Sequence, residues 1–199
     1  MKQRAYFSLV FVVSPIIPMF FGCTGGGISS VELRTESISS DKAGLLESIK
    51  SKQLYCPGEG ISGDLLLKDR YEPVILRDEK IVNDHVTNLM WQQDEDPERL
   101  GWKETEEYLT KKNEEEYAGY SDWRIPTTEE LASLLTPKKS GDYYIDPVFN
   151  TEILSTWTCD EFPDVPSGAW FVDFLEGTIG DGTRAAGLGQ VRLVRSFSF

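Results

Sequence analysis

Apolar residues are spaced along this chain in three ways, and each spacing predicts a different element. An unbroken apolar run, Ala5 to Gly22, follows Lys2 and Arg4. Helical spacing comes next: Leu45, Leu46 and Ile49 share a face after Ser40 or Asp41, residue types that cap helix N-termini, which predicts a helix to about Gln53. The stretch from Lys103 to about Glu116 repeats that pattern, with Tyr108, Leu109 and the stem of Lys112 turned inward and a glutamate-rich face outward. Short β-rich runs form the third class: Val74 to Leu76, Lys80 to Val82, Ala169 to Phe174 and Val191 to Arg195 predict strands, with Gly177 in the turn after the third. Asn83-Asp84-His85 predicts a turn, and Cys56 to Asp69, broken by Pro57, Gly58, Gly60 and Gly63, predicts a loop.

One block is more specific. Asp122-Trp123-Arg124-Ile125-Pro126-Thr127-Thr128-Glu129-Glu130-Leu131 joins an aromatic, basic strand end to a helix start. Pro126 keeps Ile125 out of the helical region, Thr127 stands at the cap, and Glu130 three residues later closes a capping box. Leu131, Leu134 and Leu135 then share one apolar face. These elements amount to two or three helices packed on short, mostly antiparallel strands, an α+β fold, and 199 residues without an internal repeat fit one domain.

The opening run reads as an export signal over residues 1–22, ending at Phe20-Phe21-Gly22-Cys23, an imperfect lipoprotein cleavage site that would leave Cys23 as a lipidated N-terminus. An uncleaved anchor helix is the alternative, although Pro15 and Pro18 interrupt a run already near the short limit of roughly 17–25 residues. Residues 23–32, glycine- and serine-rich, read as a flexible tether. Residues 33–80 read as an N-terminal extension and 81–199 as the domain proper.

Charge narrows the partners. The chain carries a formal −13, and cleavage before Cys23 would leave 18 basic against 33 acidic residues, a formal −15. Such a field repels nucleic acid, polyanions and anionic headgroups, so neutral glycans, cationic partners, proteins among them, or divalent cations suit it better. The lipid on Cys23 would then be the membrane contact.

Catalytic constellations are scarce. His85 is the single histidine, which rules out sites built from several imidazoles, and its predicted turn position favours an exposed side chain over a catalytic one. Calcium needs six to eight converging oxygens. Asp94-Glu95-Asp96 and the group Asp160, Glu161 and Asp164 are the candidates, with solvated loop acids as the plainer reading. With Cys23 lipidated, Cys56 and Cys159 remain as an even pair in a disulfide-permitting compartment, so a bridge is expected; two separate small buried residues are the alternative.

Taken in order, Val86-Thr87-Asn88-Leu89-Met90-Trp91-Gln92, Trp102, Ala118-Gly119-Tyr120-Ser121, the Asp122 to Leu131 block, Ala169-Trp170-Phe171-Val172-Asp173-Phe174 and Val191-Arg192-Leu193-Val194-Arg195 resemble the Lcl C-terminal domain, the globular end of a bacterial collagen-like adhesin, over residues 81 to 195. Asn88 replaces the family's usual glycine, and asparagine tolerates a positive φ better than most residues. The resemblance implies a C-type-lectin-like architecture related to sulfatase-modifying domains, and a weaker resemblance reaching back to Leu33-Arg34 and the Leu45 to Leu54 stretch implies that Leu33 and Arg34 dock on the domain. It places Trp91, Trp123, Trp157 and Trp170 in the core and leaves Trp102 as a candidate binding residue. Arg124 and Arg192 read as structural ion-pair partners, and Pro126, Thr127 and Glu130 as structural too.

Many relatives pair a cysteine on the first helix with one in the closing strand, where Leu109 and Leu193 stand here, so the redox chemistry of the sulfatase-modifying enzymes is disfavoured. The namesake adhesin's association with sulfated glycosaminoglycans does not transfer to so acidic a chain. The expectation is an exported, lipid-anchored, non-catalytic binding or adhesion-type domain of the cell envelope, at an outer membrane or cell surface. It needs no cofactor, with calcium the one ion to test. The alternatives are an exported enzyme or maturation factor of the sulfatase-modifying type and a structural envelope lipoprotein.

Overall fold

The computed structural model describes residues 30–65, 67–94, 100–150, 155–164, 168–183 and 189–197. Among the described residues there are three α-helices, α1 Lys42–Ser51, α2 Trp102–Glu114 and α3 Thr128–Ala132. Nine strands accompany them: β1 Tyr71–Leu76, β2 Glu79–Asp84, β3 Leu89–Gln92, β4 Leu135–Ser140, β5 Tyr143–Ile145, β6 Ser155–Phe162, β7 Gly168–Asp173, β8 Thr178–Thr183 and β9 Val194–Ser196. They form a four-stranded sheet in the order β1-β2-β3-β9, a three-stranded sheet β6-β7-β8 and the hairpin β4-β5, with antiparallel pairing throughout. The fold is α+β.

Because side chains alternate across a strand, register assigns the faces of the four-stranded sheet. Tyr71, Pro73 and Ile75 stand opposite Asp84, Val82 and Lys80, and Val82 in turn opposes Trp91. Val82, Leu89, Trp91 and Val194 on this face join the larger core with Leu131, Leu134, Leu135 and Phe149. Ile81 and Met90 on the opposite face join a second core with Trp123, Trp157 and Leu193, against which Tyr108 and Leu109 of α2 pack.

Asp41 caps α1 by accepting from the Gly44 N–H at 2.8 Å, and the helix buries Leu45 and Ile49. Those two and Leu54 are at most 1 % exposed. Burial of each is worth about 1.5–3 kcal/mol, so the segment before residue 81 is part of the core. β1 likewise supplies one strand of the sheet whose other members lie beyond residue 78.

Three expectations are corrected. Asn83 and Asp84 complete β2, and the turn is His85–Asn88, with Asn88 at φ +56° as its type allows. Asp84 stays in the strand because its buried carboxylate takes the Arg70 guanidinium and the N–H groups of Val86 and Thr87. The closing strand is shorter than Val191 to Arg195: regular pairing with β3 covers only Val194–Ser196. Docking of the N-terminal segment begins before Leu33, where the Val31 N–H donates to the Val86 carbonyl at 2.7 Å. Cys23 and residues 24–29 lie outside the described residues.

Candidate functional site

The Asp122 to Leu131 block is occupied with holding the fold. Thr127 accepts from the Glu130 N–H while the Glu130 carboxylate accepts from the Thr127 N–H at 2.8 Å, a complete capping box. Arg124 pairs with the same carboxylate at 2.6 and 2.7 Å and exchanges two backbone hydrogen bonds with Val194. Trp123 is buried, donates from Nε1 to the Tyr117 carbonyl at 2.9 Å and meets the Tyr117 ring edge-on.

Asp160 is not a solvated loop acid. It sits fully buried in β6, gripped by the Arg34 guanidinium at 2.7 and 2.5 Å and by the N–H groups of Ile38 and Thr128. Burial alone would raise this carboxyl; Arg34 and the two N–H groups outweigh that and hold it below the usual carboxylate range. Arg34 also donates from Nε to Glu129 at 3.1 Å, and Glu129 accepts from Ser48 on α1. The hub ties the N-terminal segment, α1, α3 and β6 together. Its oxygens are committed, which removes Asp160 from the calcium candidates; Glu161 and Asp164 are exposed on β6 and the following turn. No cluster of three metal-ligating side chains occurs among the described residues. Of the other acidic trio, Asp94 pairs with Lys80, and Glu95 and Asp96 lie outside the described residues.

The expected disulfide is also corrected. Cys56 and Cys159 are separate thiols. Cys56 belongs to the larger core, where its Sγ lies 3.4 Å from the Gly177 carbonyl, whereas Cys159 packs against the second core, so different layers hold them apart. Trp91, Trp157 and Trp170 are buried, as the core assignment expects. Trp102 opens α2 half-buried, edge-on to Trp157, with its Nε1 on Glu106, so its ring is packed against the fold. His85 lies near Glu72 and Phe197 at the turn end of the sheet.

An open concave surface lies at the other end of that sheet. Beyond the larger core the sheet face runs uncovered, and Pro73, Ile75, Lys80 and Gln93 form one wall of a groove of about 680 Å³ closed by Ser140 and the 147–150 loop. Ile75 is 69 % exposed, one of two large apolar side chains so placed among the described residues. Arg192 shapes the floor. Fully buried and stacked over Phe149, it donates to the carbonyls of Gln93 at 2.6 Å and Asn150 at 3.0 Å, while Gln93 Nε2 donates to the Val148 carbonyl at 2.7 Å. Arg192 is therefore structural, and the partners it meets here are backbone carbonyls where an Asp or Glu was expected. No periodicity marked this groove: its residues come from three separate stretches. The signal that was available is the pair of adjacent amide residues, Gln92-Gln93, closing a strand whose face is otherwise apolar.

Residues 80–195 match the family described as the Lcl C-terminal domain. A comparison with curated proteins returns no match.

Proposed function

The chain belongs to the Lcl C-terminal domain family, and from that premise we propose that it is an exported, lipid-anchored envelope protein whose domain binds a ligand through the groove at the free end of its four-stranded sheet. The observation that carries this reading is polarity. The N-terminal segment reaches the domain at Val31, beside Val86 and the His85–Asn88 turn, whereas the groove opens beside Lys80 and Gln93, past the opposite end of β2. A strand of six residues, about 17 Å, separates the two. A tether attached at one end leaves the groove facing away from the membrane. The Arg34 hub holds the point of attachment at that end, since the segment leaving the tether is clamped to β6 and α3.

Anchoring rests on Gly22-Cys23 after the apolar run, and Thr24 after the cysteine is compatible with sorting to an outer membrane. Cys23→Ser should leave the precursor unprocessed or release the protein from membranes, read by fractionation; unchanged processing and anchoring would contradict the anchor. Accessibility tests the polarity. A membrane-impermeant maleimide should label Ile75→Cys on intact cells well above the parent chain. Labelling only after the envelope is opened would move the binding face to the inside.

A further inference from the structure

The groove carries chemistry that a general binding role does not specify. Three of its backbone acceptors are already used: the carbonyls of Gln93 and Asn150 by Arg192, and that of Val148 by Gln93 Nε2. Its neutral side chains are available. Gln93 Oε1, the Asn150 carboxamide and the Ser140 hydroxyl line the groove without a hydrogen-bond partner among the described residues. The two charged groups, Lys80 and Asp94, pair with each other at 3.1 Å and leave the lining with no net charge. Beside these polar groups stands a patch of Pro73, Ile75, Pro147 and Val148.

A peptide main chain finds those three carbonyls occupied and is left the outer edge of β1, while the molecule's formal −13 disfavours any polyanion; the floor itself offers side chains. What remains is a ligand that presents hydroxyls and amides to side chains and a small apolar group to Ile75, in a volume within the usual range for small-ligand sites. We infer that the groove binds a neutral saccharide bearing an acetamido group. The acetamido N–H donates to Gln93 Oε1, its methyl covers Ile75, and ring hydroxyls exchange hydrogen bonds with Asn150, Ser140 and Asp94. This deepens the surface-binding reading and rests on it.

Triacetylchitotriose serves as the probe, titrated into a soluble chain produced without residues 1–23, with cellotriose and an uncharged aliphatic hexapeptide as comparators. The acetylated trisaccharide should bind, and cellotriose should bind about tenfold more weakly, the ratio expected when an acetamido hydrogen bond and an apolar contact are lost together. Ile75→Ser and Asn150→Ala should each weaken binding about three- to tenfold. Both positions are exposed, so unchanged melting curves would show that the variants remain folded. Equal affinity for the two trisaccharides, binding of the peptide alone, or no binding at all overturns the saccharide assignment. Binding that neither substitution alters overturns the groove. The broader role fails separately, by the labelling of Ile75→Cys on cells, which needs no ligand.

Discussion

Thr127 shows how a single side chain can be read from its neighbours alone. Its hydroxyl accepts from the Glu130 N–H, an arrangement legible from Thr and Glu three residues apart. Thr127→Ala should cost about 1 kcal/mol in a denaturant titration. Trp123→Ala should cost more, roughly 3–5 kcal/mol, because it empties a core position and leaves the Tyr117 carbonyl without its donor. A stable Trp123→Ala would contradict its structural role. Arg34 is the opposite case, since its partners Glu129 and Asp160 lie 95 and 126 residues away and nothing local announces them. Replacing it with Met leaves Asp160 buried and unpaired. Arg34 keeps 20 % exposure, so we expect about 2–3 kcal/mol, below the ~3–5 of fully buried pairs. The pH dependence has a definite sign. Asp160 titrates lower in the fold than in the unfolded chain, so its stabilisation is complete above the unfolded value of about 4 and is lost as pH falls through the folded value. Arg34→Met should therefore flatten the acid limb of the stability curve, and an unchanged limb would contradict the hub. The two cysteines carry a third expectation. Burial first, helped by Glu59 near Cys56 and Asp160 near Cys159, pushes both thiols up to about 12, so neither is a thiolate at neutral pH. A non-reduced digest should yield their peptides separately, each reactive with a thiol reagent after unfolding.

At the scale of elements, what was legible was what local spacing controls. The helix over Leu45 and Ile49, the helix after Trp102, the strand over Ala169 to Asp173 and the positive φ of Asn88 all follow from residues within a few positions of one another. The misplaced turn at Asn83-Asp84 had a non-local cause, the burial of Asp84 against Arg70, and so did the expected disulfide, which needed knowledge of which layer each cysteine enters. Gly177 combines both scales: at φ +67° it suits the β7–β8 turn, and a Cβ there would meet Pro57 at 2.7 Å and Tyr144 at 2.9 Å. Gly177→Ala should lower the melting temperature, whereas Asn88→Gly should change it little, since both residue types reach a positive φ. The family match starts at residue 80, inside the β1–β2 hairpin. A fragment beginning there lacks β1, Leu45, Ile49 and Leu54 and should show no cooperative unfolding transition. A sharp transition in that fragment would mean that the earlier segment is dispensable.

At the scale of the whole molecule, the acidic charge and the two-ended sheet act together. The field discourages polyanions, the clamped N-terminal segment joins the sheet at one end, and the opposite end carries the groove. The groove was not legible from the sequence because Ile75, Gln93 and Asn150 are joined only by sheet register and by Arg192, which reaches the carbonyls of Gln93 and Asn150 from 99 and 42 residues away. The most direct test of the account is to record backbone amide NMR shifts of a soluble chain produced without residues 1–23 as a ligand that it binds is added. Shifts should concentrate on Ile75, Lys80, Gln93, Ser140, Val148 and Asn150. Shifts gathered instead around Val31, Asn88 and Phe197 at the tether end, or along the glutamates of α2, would contradict it.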